Sequence, residues 1–307
     1  MSNMYSSISF NSLRAFLVGL SLMVGLTPTL LWAAGPTSAE YGVVLNLSGK
    51  QRMLTQKMSK EVMLVALSVD TAANVANLQK TSSLFDKTLK GLRNGSGELR
   101  LPATSSKRIL RQLDKIDQIW AGFYPAVKEV ISRGSASKAQ VAQIAEKNLP
   151  LLKQMNKAVG LYEKDAKKGG LSAAPGLAAT LNLSGKQRML TQKMSKEFLL
   201  VAYGHQAEEN KLSLLETYSL FERTLKGLLD GDKVLGLPGT EQPAIRSQLG
   251  VVNKLWSDFK PVVAYGASSK STVIISADKI AQLAKTNLPL LKEMNKAVGM
   301  YEKVAAE

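Results

Sequence analysis

The chain has 307 residues, no cysteine, one histidine, and a formal charge of +16 from 40 basic and 24 acidic residues. Without cysteine there is no disulfide framework or thiolate metal site, and one histidine gives zinc or copper ligation little to build on. The positive field favours anionic ligands. Basic residues are spread over every segment and do not form an arm, so no nucleic-acid partner is expected.

The first 35 residues carry Arg14 ahead of an apolar run from Ala15 to Ala34 that ends in Ala33-Ala34-Gly35. Residues 1–35 read as a secretory signal peptide cleaved between Ala33 and Ala39, which makes the remainder periplasmic or secreted. The alternative is an uncleaved membrane anchor, for which about 20 apolar residues suffice. No later run is apolar enough to span a membrane.

From Pro36 onward the pattern is helical. Thr37-x-x-Glu40 is a capping-box sequence. After it, Val43, Val44, Leu47, Leu54, Met58, Val62, Val65 and Val69 recur mostly at spacings of three and four. A second helix carries Leu78, Leu84, Phe85, Leu89 and Leu92 and stops at Asn94-Gly95-Ser96-Gly97. A third runs over about 105–133, with Gly134 as its stop, and a fourth over about 137–167. Pro125 and Pro150 are expected to kink or interrupt their helices. No segment alternates with the period of two that a half-buried strand needs.

The chain then repeats itself. Leu45–Glu61, LNLSGKQRMLTQKMSKE, recurs without a change at Leu181–Glu197. Matching continues at an offset of 136 through Phe85/Phe221, Trp120/Trp256 and Pro125/Pro261, and after a three-residue slip Asn148–Lys164 answers Asn287–Lys303. The expected fold is all-α: two tandem four-helix bundles, up-down-up-down, over residues 36–168 and 177–307, joined by a linker at 169–176.

The unchanged segment stands among positions that have drifted, so it is the first candidate for function. Gly49 and Gly185 each cost their helix about 1 kcal/mol relative to alanine, which suggests close approach of another helix or of a ligand. Arg52, Thr55, Gln56 and Ser59 share one helical face, with Asn46 and Gly49 leading into it. A guanidinium suits planar oxyanions through its fixed, paired donors. Amides such as those of Asn46, Gln56, Asn182 and Gln192 would complete the shell. The competing interpretation is a solvated face, or a plain helix contact with arginine at its rim. Glu61 and Glu197 are placed to pair with Lys57 and Lys193 one turn back. The pairs Trp120/Trp256 and Phe123/Phe259 sit at core spacing. With no G-x-S-x-G, phosphate-cradling glycine loop or H-E-x-x-H, neither an enzyme nor a cofactor is expected.

The run Asn-Leu-Ser-Gly-Lys-Gln-Arg-Met-Leu-Thr-Gln-Lys resembles the signature of PilJ-type domains, the N-terminal sensory domains of type IV pili methyl-accepting chemotaxis transducers. It is also similar to the P-box of nitrate/nitrite sensor kinases of the NarX type. The resemblance covers both copies, and the Asn-Leu-Pro-Leu-Leu blocks fit that family's last helix. It implies a periplasmic four-helix bundle with the motif in its first helix. In the nitrate sensors two such helices face each other across a dimer and hold one anion between them, mainly through the motif arginine. By position that role falls on Arg52 and Arg188, with Gly49 and Gly185 allowing close approach and Asn46 and Asn182 as polar neighbours. A tandem chain could pair its two first helices as an intrachain pseudo-dimer around one ligand; two separate sites are the alternative.

Such sensors also carry flanking membrane helices and a cytoplasmic signalling region, neither of which is found in this sequence. Its output would therefore pass to a membrane-bound kinase, chemoreceptor or transporter. The expected function is that of an exported, sensor-like protein capturing a small anionic or polar ligand, nitrate-like in character. The alternative is a non-catalytic interaction or structural protein that uses the same segments as a helix–helix interface.

Overall fold

The computed structural model describes residues 35–268 and 274–307, so all but the last residue of the expected signal segment lies outside the described residues. Residues Gly35–Glu307 form one compact unit. Among the described residues there are eight helices and no strand: α1 Ser38–Ala66, α2 Thr71–Asn94, α3 Lys107–Arg133, α4 Lys138–Lys168, α5 Leu177–Tyr203, α6 Ala207–Asp230, α7 Pro243–Gly266 and α8 Ala277–Val304.

Local chemistry sets the helix ends. Thr37 Oγ1 accepts from the Glu40 amide at 3.2 Å while the Glu40 carboxylate accepts from the Thr37 amide at 2.7 Å, so the capping box forms and satisfies two otherwise orphaned donors. Ser137 and Gln140 make a second such box at the start of α4. Gly134 ends α3 in the left-handed region at φ 62°, its amide returning to the Val130 carbonyl. The prolines do not interrupt anything: α3 continues through Pro125 and α4 through Pro150. In helices this long, packing of an apolar stripe outweighs the one backbone bond a proline removes.

Helices α1–α4 pack in cyclic order, as do α5–α8. Each bundle encloses an aromatic cluster. Trp120 lies 4.4 Å from Phe85 between ring centroids, and Trp256 lies 4.5 Å from Phe221. Each indole also spends its one donor, Trp120 on Asp86 Oδ1 at 3.1 Å and Trp256 on Glu222 Oε1 at 3.2 Å.

The bundles are joined along α1 and α5, which form the most extensive helix pair in the molecule, with α8 touching α1 and α4 touching α5. The connection between α4 and α5 is packed in as well: Leu171 is buried, and a Cβ on Gly170 would fall 2.6 Å from the Ser38 amide nitrogen.

Candidate functional site

Helix α1 is enclosed by α2, α4, α5 and α8, and α5 by the equivalent set. A helix surrounded on most sides has little solvent face, so its polar residues are buried and need partners. Gln51 Nε2 donates to the Phe85 carbonyl at 2.8 Å, and Gln187 Nε2 to the Phe221 carbonyl at 2.9 Å. Asn148 Nδ2 donates to the Thr55 carbonyl at 2.9 Å and to Ser59 Oγ at 2.8 Å; Asn287 Nδ2 donates to the Thr191 carbonyl at 3.0 Å. Lysines then cross between the repeats: Lys60 Nζ reaches Asn287 Oδ1 at 3.0 Å and Lys196 Nζ reaches Asn148 Oδ1 at 3.2 Å. These bonds place Lys60 level with the Thr191 turn, and Arg52, two turns earlier, reaches the Asn182 carbonyl, so α1 and α5 run parallel. Lys57 pairs with Glu61 and Lys193 with Glu197.

The two helices cross at the glycines. A Cβ built on Gly49 would sit 3.7 Å from the Gly185 Cα, 3.4 Å from Arg52 Nη2 and 3.4 Å from Arg188 Nη2. Built on Gly185, it would lie at 3.7, 3.5 and 3.4 Å from Gly49 Cα and the same two nitrogens. Both guanidinium groups therefore reach one spot beside the crossing. These are ordinary contact distances, so alanine would fit, and helix packing alone does not require glycine here.

Arg52 and Arg188 are 3% and 2% exposed, which is burial in a seam and not a place at its rim. Arg52 Nη2 donates to the Asn182 carbonyl at 2.8 Å; Arg188 Nη2 donates to the Asn46 carbonyl at 2.9 Å and its Nη1 to Asn46 Oδ1 at 2.8 Å. The Nη1 atoms also reach Asn156 and Asn295 at 3.4 Å. Both Nε atoms are buried with no hydrogen-bond partner among the described residues. Nor does any carboxylate there form an ion pair with either arginine. Burial pushes Arg52 down to about 10, partly opposed by the Glu163 charge. Arg188 goes down to about 9, through burial and then the charge of Arg52, opposed by Glu302. Both remain cationic at neutral pH.

All eight residues singled out in the sequence lie on this seam, in two layers. Asn46, Gly49, Arg52, Asn182, Gly185 and Arg188 surround the crossing. Gln56 and Gln192 lie a turn further on, where Gln56 Nε2 donates to Thr55 Oγ1 at 3.0 Å and Gln192 Nε2 to Asn287 Oδ1 at 2.9 Å. Sequence reasoning missed Glu163 and Glu302, which accept from Asn182 Nδ2 and Asn46 Nδ2 and stand as a second row behind the arginines. It also gave no role to Lys50 and Lys186. Burial pushes both amines down, Lys50 further by Arg188 and Lys186 by Arg52. Asn156, Lys153 and Lys157 line a groove of about 530 Å³ on α4, adding positive charge outside Arg52. The Asn-Leu-Pro-Leu-Leu repeats were the available signal for Asn148 and Asn287.

A family model described as the type IV pili methyl-accepting chemotaxis transducer N-terminal domain matches residues 38–147 and again 171–283. The chain belongs to this PilJ family. A relative is the methyl-accepting chemotaxis protein McpN of Pseudomonas aeruginosa, 27% identical over 151 residues, which is 49% of this chain. The chain spans 28% of that protein's length. The PilJ family is one of sensory domains, and this chain carries two matches to it in tandem. None of the described helices is long and apolar enough to cross a membrane.

Proposed function

We propose that this chain is an exported sensory module whose two halves, residues 36–168 and 177–307, hold one small planar anion between Arg52 and Arg188. The observation that carries the reading is the pair of buried guanidinium groups reaching one spot, neither of them ion-paired with a carboxylate among the described residues. Two like charges out of water raise the energy of the empty seam, and an anion between them lowers it. Each unpartnered Nε supplies a donor, and the absent Cβ atoms of Gly49 and Gly185 leave space beside the nitrogens. The Asn46 and Asn182 carbonyls hold the guanidinium groups from the opposite repeat, so the donors are oriented in advance. Lys50, Lys186, Lys153 and Lys157 make the surroundings positive, which raises the local anion concentration. The occupied seam would report to a membrane-bound kinase, chemoreceptor or transporter, and residues 1–35 would direct export.

Calorimetric titration of the chain with nitrate and nitrite tests this. One anion bound per chain, with affinity lost in the doubly substituted Arg52→Ala/Arg188→Ala protein and its fold intact, is the expected result. Two anions per chain, or equal affinity in the double variant, would sink it, and the segments would then stand as a structural seam alone.

A further inference from the structure

A second cleft opens at the other end of the seam, where α1, α2, α5 and α8 meet. It measures about 560 Å³, within the range of small-molecule pockets. Its floor is buried and carries Lys60, Ser195 and Asn287, while Leu64, Leu199 and Leu283 supply apolar wall. Ala73 and Lys285 are exposed at its rim.

We infer that this cleft is a second ligand site, taking a small monocarboxylate with an apolar body. Lys60 is a buried ammonium that donates one bond, to Asn287 Oδ1 at 3.0 Å. Among the described residues no carboxylate forms an ion pair with it: the neighbouring Glu61 spends Oε1 on Lys57 and Thr81, and its Oε2 is buried without a hydrogen-bond partner. Two of the three ammonium N–H groups are left for a ligand, and a buried cation offset only by the charge of Glu61 gains from an anionic ligand. A single lysine matches a single negative charge, and Glu61 alongside disfavours a dianion. The leucines favour carbon over a bare inorganic ion, because covering apolar surface is favourable. Burial pushes Lys60 down to about 8, so the amine is still protonated at neutral pH.

The equivalent place in the other half is a natural control. Lys196 is held by Asn148 in the same way, at 3.2 Å. The rim positions differ: His205, Gln206, Glu209 and Glu146 stand where the cleft has Val69, Asp70, Ala73 and Lys285. One half therefore presents a rim lysine and one aspartate, which balance, where the other presents two glutamates and no lysine. The same floor favours a carboxylate on the α8 side and repels it on the α4 side.

Calorimetric titration of the whole chain with straight-chain carboxylates from acetate to octanoate tests the site, with hexanoate as the reference probe. Affinity should rise with chain length. It should fall tenfold or more in Lys60→Met, and also in Ala284→Phe, which fills the cleft and leaves the amine alone. Lys196→Met and Arg52→Ala/Arg188→Ala should bind hexanoate as the parent does. No binding by any member, an equal loss in Lys196→Met, or a loss in the arginine double variant would each overturn the assignment. If Lys60→Met fails to fold by circular dichroism, Ala284→Phe decides the matter.

Discussion

The seam between α1 and α5 and the aromatic cores of the two bundles are buried alike, yet they have changed very differently between the copies. In the cores, Val62 answers Phe198, Ile116 answers Val252 and Ala126 answers Val262, all of them buried. Apolar volume can be traded between neighbours while the core keeps its density. In the seam, Lys60 needs Asn287, Lys196 needs Asn148, and Arg52 needs the Asn182 carbonyl. Directional bonds made across the repeats have no such freedom, since losing one partner leaves the other buried and unsatisfied. Seventeen unchanged residues, Leu45–Glu61 and Leu181–Glu197, are what that constraint leaves.

The contrast can be broken in four ways. Phe221→Ala, deep in the second core, should cost about 3–5 kcal/mol in a urea melt, while the protein that stays folded keeps its anion affinity. The arginine double variant should do the reverse. Affinity for the seam anion should fall about 100-fold, about 2.7 kcal/mol, with a smaller loss of stability than Phe221→Ala, because removing two buried like charges offsets the hydrogen bonds lost at Asn46 and Asn182.

The third test uses pH. Lys60 and Lys196 are each pushed down to about 8 from 10.5 by burial, so the unfolded chain binds more protons than the folded one between those values. Stability should therefore rise with pH from about 8 towards 10.5 and show no slope from these groups below that window. The rise should shrink in the Lys60→Met/Lys196→Met protein, as read by thermal melts across pH 7–10. The smallest effect is expected from Gly49→Ala, whose Cβ meets only ordinary contacts. It should raise stability by up to about 1 kcal/mol and still weaken anion binding several-fold. A drop in stability would instead make the glycine a packing requirement.

Much of the fold was legible in the sequence. Three- and four-residue spacing located each helix, the Thr37/Glu40 capping box formed where it was read, and Gly134 stopped α3. Neither Pro125 nor Pro150 interrupts its helix, because a proline's local cost is set against the packing of a whole helix, which spacing does not reveal. The site was legible in part. An unchanged repeat drew attention to Arg52 and Arg188, but a polar stripe looks the same in sequence whether it faces water or another helix. Glu163 and Glu302 come from α4 and α8, far along the chain from the asparagines they hold. No local pattern points to them; they follow only from how the eight helices are arranged.

The packed connection at Leu171 has one more consequence. A site assembled from two separate protomers is diluted away when its subunits dissociate. Here the facing helices are tethered through one chain, so their encounter is intramolecular and its effective concentration is fixed by the connection. Occupancy should then depend on ligand concentration alone and not on how much protein is present. A substitution on one side of the crossing also need not appear on the other, so the two flanks of a nearly symmetric site are free to diverge singly.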